Sequence, residues 1–461
     1  MNNLWDALAR SNDQPAAIVH GPAASVVLAD LVSGSILGDQ LEHFRGRVVM
    51  LAMRDQLSTA LALVELDGVA QRLILSTPDL SAEQINEVAD IAQADAILVD
   101  GGTAAPETLQ VATYAPAARA TPKPEHVQRR ASHTTEWILL TSGTTGLPKL
   151  VLHTFESLAG ALPRQSDSIR PMVWSTFYDI RRYGGLQIYL RALLSGSPMV
   201  LSSAGEATRG FFIRAAAAGV THISGTPSHW RRALMSGDAC LISPEYVRLS
   251  GEVADQTILD NLRAAYPSAR IGHAFASTEA GVAFEVNDGL AGFPADLIEK
   301  PGAIELQVRD GTLWIRSRRT AAKYLGENAS TLASEDGFVD TGDMLELLAD
   351  RYYFRGRKGG IINVGGLKVY PEEVEAVLNA DSRVRMSLVK GRRSPITGAV
   401  IVAEVVLADD SVPDLQRTQD LKNELLNACR RNLAAHKVPA LLRFVPALEL
   451  TAAGKLVRAG A

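Results

Sequence analysis

Residues 141–149 are the stretch whose residue types and spacing are best suited to chemistry: they read T-S-G-T-T-G-L-P-K and directly follow the apolar run 137–140. Glycine allows tight turns that expose backbone N–H groups, and consecutive exposed N–H groups form a concavity that accepts anions. Hydroxyls add donors, and a lysine adds a compact positive charge. The stretch therefore predicts a phosphate-binding loop after a strand, formed by Thr141, Ser142, Gly143, Thr144, Thr145, Gly146 and Lys149.

This loop differs from the Walker motif, in which lysine directly follows the last glycine, because Leu147 and Pro148 separate Gly146 from Lys149. The alternative is an ordinary surface turn rich in small residues. Few such turns follow a four-residue apolar strand and also combine this many hydroxyls and glycines with a lysine. Phosphate binding is therefore favoured.

The composition limits the class of protein. The chain has 461 residues, of which 47% are hydrophobic and 21% are charged, enough for a large core and more than one domain. A net charge of −5 predicts no basic surface for nucleic acid. No apolar run approaches the roughly 20 residues that span a bilayer. We therefore expect neither a nucleic-acid partner nor a membrane partner.

Cysteine and histidine usage bears on the cellular compartment and on metals. Cys240 and Cys429 are far apart, so thiols in a reducing cytoplasm are expected rather than a disulfide. The first residues lack the basic and apolar regions of a secretory signal. The nine histidines show no zinc-binding spacing. We expect a cytoplasmic protein without a zinc site.

The hydroxyl-rich loop follows a region, residues 46–110, in which apolar runs alternate with helical patterns. Ser81 and Gln84 have the spacing of a capping box, in which both side chains bond to backbone N–H groups. Strands and helices that alternate at this spacing favour a parallel α/β layer. Strands are predicted at 47–51, 72–75 and 96–99, a helix at 58–66, and an irregular link at 113–132.

Beyond the loop, several predicted strands end in small or polar residues. Ligands of open α/β sheets bind outside the carboxyl ends of the strands, so these ends would share one crevice. The predicted strands are 199–201, 221–224, 247–252 and 270–279, and the predicted helices are 155–162 and 211–218.

The pattern changes from residue 303, where alternating runs predict strands at 304–308, 311–316 and 351–354. A polar, glycine-rich break at 355–360 follows, and Pro371 with the acids behind it marks a helix start. The predicted fold class is α/β. A large N-terminal α/β domain with layered sheets would span 1–356, a hinge 357–360, and a small C-terminal α+β domain 361–461.

The sequence of residues 141–149 resembles the signature loop of the adenylate-forming superfamily. This superfamily comprises acyl- and aryl-CoA ligases, adenylation domains of peptide synthetases, and luciferases. Further segments resemble motifs of this family in the family's order. They are G-E at 251–252, F-A-S-T-E at 275–279, D-T-G-D at 340–343, G-R at 356–357, G-G-L at 365–367 and T-A-A-G-K at 451–455. The resemblance covers about residues 40 to 458.

The resemblance implies roles for the nucleotide. The ring of Phe275 would lie against adenine, Thr278 would contact phosphate and Glu279 would bind Mg²⁺, a hard cation that prefers carboxylate oxygen. Phe275 and Ala276 stand where the family usually has tyrosine and glycine, so stacking is kept and a phenol hydrogen bond is lost. The turn Gly251-Glu252 would lie along adenine and the acyl adenylate.

The resemblance also implies that Asp343 holds the ribose hydroxyls and that Arg357 follows ribose and phosphate. Lys455 would bridge the acyl carboxylate and the α-phosphate, where a cation neutralises developing charge. The alternatives are a solvated turn aspartate, a surface arginine and an exposed terminal lysine. After a domain rotation the thiol tunnel would be lined by Gly365, Gly366 and Leu367.

The hinge departs from the family, which usually has Asp or Lys where this chain has Gly359, followed by Gly360. Glycine widens the allowed backbone conformations, so rotation remains possible. The substitution removes a side chain that could hold either state.

The acyl pocket of such enzymes lies between the loop and the glycine turn. Arg181 and Arg182 could bind a second carboxylate of the substrate, or they could be surface arginines at a helix start. A small or polar acid is therefore expected rather than a long fatty acid. The candidate residues are Trp174, Phe177, Tyr178, Arg181, Arg182, Tyr183, Gly184, Gly185, Pro227, His229 and Trp230.

The resemblance implies an AMP-forming ligase that uses ATP and Mg²⁺. A carboxylic acid would attack the α-phosphate of ATP, pyrophosphate would leave, and a thiol would then displace AMP. The thiol could be CoA, to which Lys390, Arg392 and Arg393 could contribute, or the phosphopantetheine of a carrier protein loaded by a stand-alone adenylation enzyme. A third reading is an inactive nucleotide-binding protein.

Overall fold

The computed structural model of the chain describes residues 3–10, 17–100, 112–114, 123–124, 133–141, 147–162, 172–298, 300, 302–326, 330–394, 398–408 and 415–449. Two parts of the predicted site, residues 142–146 and Lys455, lie outside the described residues.

The hydroxyl-rich loop connects two antiparallel strands of a seven-stranded sheet, counted within the described residues. Thr141 and Lys149, at its two ends, face each other in register. In spatial order the strands are Lys323–Leu325, Lys149–Thr154, Glu136–Thr141, Arg72–Leu75, Val48–Leu51, Ala96–Leu98 and Ala112–Tyr114. The pairings from Glu136–Thr141 onward are parallel. The predicted parallel layer before the loop is thus confirmed.

A second sheet carries the other predicted strand ends. Its strands, in spatial order, are Gly281–Val286, Arg270–Ser277, Tyr246–Ser250, His222–Gly225, Trp174–Thr176, Met199–Leu201, Ile18–His20 and Ser25–Val27. Only the two outermost pairings of the described strands are antiparallel. The carboxyl ends of the parallel strands therefore meet at one edge, as the sequence predicts.

Helices fill the space between the two sheets. The helix Gln56–Leu66, capped by Asp55, is buried at every position except Ser58, which fits a helix enclosed in a large core. Apolar side chains of both sheets and of the helix Tyr183–Leu194 join it in one cluster. The helices are Leu4–Arg10, Asp30–Ser33, Gln56–Leu66, Ala82–Ala92, Phe155–Ala159, Tyr183–Leu194, Thr208–Ala217, Pro227–Met235, Gln256–Ala265, Pro371–Asn379 and Leu415–Asn432.

An antiparallel sheet follows, with the spatial order Phe293–Pro294, Arg351–Arg357, Val339–Leu348, Thr312–Ser317 and Ile304–Arg309. The C-terminal part has its own apolar core under the strands Val384–Ser394, Gly398–Leu407 and Leu441–Phe444. Two small pairs complete the described sheets: Gly34–Ser35 with Lys123–Pro124, and Ile362–Val364 with Leu367–Val369. Short 3₁₀ turns lie at Gly38–Phe44, Asp238–Leu241, Ala295–Leu297, Lys358–Gly360 and Ala435–Lys437.

Local predictions are confirmed where a single segment determines the element. The strand Arg72–Leu75 has the predicted bounds, and Ser81 and Gln84 form the predicted capping box at the helix Ala82–Ala92. The predicted helix 155–162 is shorter, ending at Ala159. The strand predicted at 351–354 continues to Arg357, because it pairs with Val339–Leu348, and the break begins only at Lys358.

The strand Ala112–Tyr114, which extends the seven-stranded sheet, overlaps the start of the link predicted as irregular at 113–132, and the link contains the short strand Lys123–Pro124. Along the described part of the chain, no helix combines the length and the apolar character needed to cross a membrane.

Candidate active site

The first group of predicted residues meets around the aromatic ring of Tyr324. This tyrosine lies on the strand that pairs with Lys149–Thr154. Its hydroxyl donates to Glu279 Oε1 at 3.1 Å, and the ammonium of Lys149 lies 5.0 Å from its ring centroid. Lys149, predicted for phosphate, and Glu279, predicted for Mg²⁺, are thus joined by a residue that the sequence analysis did not single out.

Glu279 has the chemistry that Mg²⁺ needs. Oε1 accepts one hydrogen bond from Tyr324, and within the described residues Oε2 accepts none. Mg²⁺ favours one or two carboxylates and completes its shell with water and substrate phosphate oxygens. The residues present therefore fit the ion, although no cluster of three or more potential ligands occurs in the described ranges.

His153 holds the segment that carries Thr278 and Glu279. Its Nε2 donates to the carbonyl oxygen of Thr278 at 2.8 Å, and its Nδ1 lies 2.9 Å from Ser157 Oγ. The residue is 0% exposed. Burial lowers the pKa of His153 to about 4, although the bond to Thr278 acts in the opposite direction, so the ring is neutral near pH 7. The strand after the hydroxyl-rich loop is thereby tied to the predicted phosphate- and metal-binding turn.

Phe275, predicted to lie against adenine, packs into an aromatic group. Its ring lies 4.9 Å from the ring of Phe354 with an interplanar angle of 9°, and 5.9 Å from that of Phe284. The register between Phe275 and Ala276 is shifted by a bulge. Bulges re-aim side chains at strand ends, and here only Ala276 and Ser277 separate the shift from Thr278.

Asp343 and Arg357, predicted for the ribose, face each other on adjacent strands. Arg357 Nε donates to Asp343 Oδ1 at 3.2 Å, while most of the arginine side chain stays exposed. Their proximity follows from strand pairing, since 14 positions separate them in the sequence.

Gly251 and Glu252 follow the strand Tyr246–Ser250. Gly251 has φ = +85°, a conformation that side chains with a Cβ rarely adopt. The carboxylate of Glu252 accepts from the backbone N–H of Ser228 at 2.9 Å and from its hydroxyl at 3.0 Å. It therefore holds the first turn of the helix Pro227–Met235, in which Pro227 occupies the favoured first position.

The aromatic candidates for the acyl pocket divide into two groups. Phe177, His229 and Trp230 pack on one another, with Phe177 and His229 stacked at 5.2 Å and Trp230 fully buried. They join a core on one side of the eight-stranded sheet. Burial lowers the pKa of His229 to about 3, so the ring is neutral. These three side chains contribute mainly to packing.

The second group is Trp174, Tyr178 and Tyr183, of which Tyr178 also contacts the first group, with its ring 6.1 Å from that of His229. The hydroxyl of Tyr178 donates to the carbonyl oxygen of Ser250 at 2.8 Å, directly before the Gly251 turn. Gly184 lies under the Tyr178 ring, and a Cβ on Gly185 would clash with the Asp179 carbonyl. Tyr178 therefore borders the strand end where the predicted nucleotide-binding turn begins.

Arg181 and Arg182 are engaged by other parts of the chain. Arg181 is 1% exposed; its guanidinium bonds to the Asp179 carboxylate and to the carbonyl oxygens of Met53 and Arg54. Arg182 donates to both oxygens of Asp79 at 2.8 Å. Arg181 is thus not the surface arginine that one alternative described, and its donors already have partners in the protein.

The sequence analysis missed two arginines near the second group. Arg248 is 6% exposed on the strand Tyr246–Ser250, and its nearest charged partner is Glu285, at 3.5 Å. Arg191 lies 5.6 Å above the Trp174 ring. The alternation in the sequence Y-V-R-L-S was the available signal, because it places Arg248 on the same face as Tyr246 and Ser250.

In the C-terminal part, Gly365 and Gly366 form the turn of a hairpin and both have positive φ, +59° and +86°. Leu367 follows and is exposed. Lys390 pairs with Glu404 at 2.7 Å. It lies with Arg392 and Arg393 on the strand Val384–Ser394, and both arginines are exposed.

Comparisons with known proteins identify the family of the chain. The family model for AMP-binding enzymes matches residues 17–324, and the model for their C-terminal domain matches 373–455. A curated 2-succinylbenzoate–CoA ligase of Listeria monocytogenes is 27% identical over 356 residues, covering 73% of this chain and 71% of that protein.

Two solved structures share the fold. The anthranilate CoA ligase AuaEII in complex with anthranoyl-AMP superimposes with a TM-score of 0.82 at 18% identity, covering 98% of this chain and 95% of the other. The o-succinylbenzoate CoA synthetase of Bacillus subtilis, in complex with its acyl-adenylate intermediate, gives 0.78 at 21% identity, covering 99% and 97%.

The chain therefore belongs to the family of AMP-binding enzymes. It is an enzyme of the AMP-forming acid–thiol ligase class, as the resemblance implies. The fold class, with a large N-terminal α/β domain and a smaller C-terminal domain, is confirmed.

Proposed function

We propose that the enzyme activates a small carboxylic acid with ATP and transfers the acyl group to CoA. In the first step a carboxylate oxygen attacks the α-phosphorus, an acyl adenylate forms and pyrophosphate leaves. In the second step the CoA thiolate attacks the acyl carbon and AMP leaves. The meeting of Lys149, Tyr324 and Glu279 beside the end of the hydroxyl-rich loop carries this proposal.

The chain's own residues would hold the nucleotide in place. The loop 141–149 with Lys149 would bind the triphosphate, Thr278 would donate to it, and Asp343 with Arg357 would position the ribose. Bound Mg²⁺ would supply charge neutralisation on the phosphate oxygens, held through Glu279. Phe275 and Gly251 would flank adenine. None of these roles requires a proton transfer by the buried, neutral His153.

The C-terminal part would complete each step in turn. Lys455 would neutralise charge as the carboxylate approaches the α-phosphate. A rotation about 357–360 would then bring the hairpin with Gly365 and Gly366 toward the thiol path. A Cβ added at Gly359 or Gly360 would meet no atom within 4 Å, which supports freedom of movement there.

The proposal is tested by incubating the enzyme with ATP, Mg²⁺ and a panel of acids, with CoA supplied or omitted. We expect pyrophosphate and AMP, never ADP, and an acyl-CoA detected by mass spectrometry when CoA is present. An acyl adenylate that accumulates with CoA present, and is discharged only by a carrier protein, would indicate the other thiol. ADP as the nucleotide product would refute the scheme.

Lys455→Ala should remove most adenylate formation and leave ATP binding in place. Lys300→Ala, which removes an exposed lysine, is the matched control. Equal pyrophosphate release by the Lys455 and Lys300 variants would show that the wrong lysine has been assigned.

A further inference from the structure

One face of the eight-stranded sheet is polar where it meets the helix Tyr183–Leu194. Successive residues of a strand point to opposite faces. Val247 and Leu249 are therefore on one face, fully buried in an apolar core. Tyr246, Arg248 and Ser250 are on the other face, and Arg248 is in register with Ser224 on the next strand.

Arg248 is a buried cation whose donors are unused. The residue is 6% exposed, and its Nε is buried without a hydrogen bond within the described residues. Its only charged partner there is Glu285, whose Oε2 lies 3.5 Å from Nε. Charge-assisted hydrogen bonds are about 2.7–2.9 Å long, so this contact is an ion pair at long range.

Glu285 is also poorly suited to satisfy Arg248. Its other oxygen already accepts from the hydroxyl of Tyr246 at 2.6 Å and from the amide of Asn287 at 3.0 Å. The residue is exposed, so water screens its charge. A guanidinium has several N–H donors in a planar fork, and most of those of Arg248 face no acceptor in the described structure.

The surroundings of Arg248 add positive charge. Arg191 reaches the same region from the helix Tyr183–Leu194, over the ring of Trp174. Burial, and after it the charge of Arg248, lowers the pKa of Arg191. Arg319 is also within electrostatic range of Arg191, while the nearby negative charge is Glu285. Arg248 and Arg191 thus share one carboxylate, that of Glu285.

Further polar groups in this layer lack partners. Ser224 Oγ and Trp174 Nε1 are buried without a hydrogen bond within the described residues. Buried polar groups and charges cost folding free energy unless they are paired. A protein retains such an arrangement where a ligand supplies the missing acceptors. The ligand that suits two fork-shaped cations is a carboxylate or another planar anion.

The position of Arg248 fits the distal end of an acyl group. Arg248 precedes Gly251 by three residues on one strand, which corresponds to about 10 Å along the backbone. The Tyr178 hydroxyl bonds to Ser250, which lies between Arg248 and Gly251 on the strand, and it is within electrostatic range of Arg248. An acid bound with its reactive carboxyl at the Gly251 turn would extend toward Arg248.

We propose that the acid substrate carries a second acidic group, and that Arg248, assisted by Arg191, binds it. This inference rests on the proposed ligase function. The substrate class is a compact dicarboxylic acid, or an aromatic acid with a second carboxylate. Arg248 takes the role that the sequence suggested for Arg181 and Arg182, whose donors are engaged within the protein.

The test compares pairs of acids that differ only in the second carboxylate, which is replaced by its methyl ester or by a methyl group. Adenylation is followed by pyrophosphate release at saturating ATP. For the native enzyme we expect kcat/KM to be about 10- to 100-fold higher for the diacids, the range for a charged hydrogen-bonded pair. Equal or better use of the neutral partners would overturn the proposal.

Arg248→Met should remove this preference mainly through a higher KM for the diacid, so that the ratio within each pair falls toward one. Arg248→Lys keeps the charge without the fork and should retain part of the ratio. Arg209→Met, at an exposed arginine, is the matched control. If Arg248→Met lowers kcat/KM equally for both members of a pair, the arginine is structural and the proposal fails.

Glu285→Gln provides a test that does not require removal of the buried cation. Without the competing carboxylate, Arg248 attracts the second acidic group more strongly, so KM for diacids should fall several-fold while KM for neutral acids stays constant. An unchanged KM would count against the proposal. AMP formation from neutral acids alone would refute this inference and leave the ligase function standing, whereas no AMP from any acid would refute both.

Discussion

His153 provides the sharpest test of how the structure positions the predicted catalytic turn. Replacing it by leucine removes the donor to the Thr278 carbonyl and the partner of Ser157 in a site with no exposed surface. Leaving buried groups unpaired costs about 1–3 kcal/mol. If Thr278 and Glu279 are displaced and the transition state loses stabilisation of this size, kcat/KM for adenylation falls about 10- to 100-fold.

Glutamine is the informative second variant, because its amide nitrogen can reproduce the donor of Nε2. His153→Gln should therefore adenylate markedly faster than His153→Leu. Pyrophosphate exchange measures this step, and urea unfolding measures the accompanying loss of stability. If the two variants adenylate at the same rate, the hydrogen bond to Thr278 does not position the turn.

The same residue predicts a pH dependence of stability. The pKa of His153 is about 4 in the folded protein, compared with 6.5 for the free side chain. As the pH falls, the unfolded chain therefore binds a proton at this histidine before the folded protein does. The neutral ring contributes fully to the free energy of unfolding above about pH 6.5, and this contribution is lost as the pH falls toward 4. The shift corresponds to about 3 kcal/mol.

His153→Gln has no such group, so its free energy of unfolding should fall less than that of the native enzyme between about pH 7 and pH 4.5. His43→Gln, at an exposed histidine, should leave the native slope unchanged. Parallel pH profiles for the native enzyme and His153→Gln would refute the burial argument.

Tyr324, Asp67 and Gly359 each allow a further test. Tyr324→Phe keeps the ring near Lys149 but loses the hydrogen bond to Glu279, so adenylation should slow about tenfold and require a higher Mg²⁺ concentration. Pyrophosphate release at varied Mg²⁺ measures both effects. An unchanged Mg²⁺ dependence would show that Tyr324 does not influence metal binding. Burial raises the pKa of Asp67 to about 7, so the free energy of unfolding of the native enzyme should fall as the pH rises toward 7. Asp67→Asn can still accept from the backbone N–H of Leu4 and should not show this loss. If the free energy of unfolding, measured in urea at about pH 5 and pH 8, changes equally in both proteins, Asp67 does not contribute. The Cβ of Gly359→Ala would meet no atom within 4 Å, and the backbone conformation at this position is open to alanine, so the free energy of unfolding should change by less than about 1 kcal/mol. If Gly359 is needed for the domain rotation, the variant should form the thioester more slowly than the native enzyme but adenylate at the same rate. If both half-reactions keep the native rate, Gly359 is not needed for the rotation.

Sequence reasoning reached elements and motifs that are encoded locally. The strand Arg72–Leu75 and the capping box of Ser81 and Gln84 depend on a few adjacent residues. The order of the motifs was enough to indicate the family. Strand register could not be predicted from the sequence, because Tyr324 lies opposite Val151 only when distant segments pair in the sheet.

The arginines illustrate the same limit. Nothing in the sequence near Arg181 indicates that carbonyl groups of Met53 and Arg54, more than a hundred positions away, surround its guanidinium. Arg248 had a local signal in its alternating strand, but burial and the shortage of acceptors around it depend on the helix and strands packed against that face. Tertiary packing, rather than residue type, decides which arginine remains available.

The parallel pairing of Ile18–His20 with Met199–Leu201 has a consequence for biosynthesis. The first strand leaves the ribosome long before its partner has been translated. Its backbone N–H and C=O groups on that side therefore stay open while about 180 residues are added, which takes roughly 10 to 40 seconds at about 5–20 residues per second. The strands between 48 and 154 that form most of the other sheet emerge in the meantime and can pair. Nascent chains should therefore acquire that sheet first, and stalling before residue 199 should leave the segment around Val19 open to chaperones or proteases.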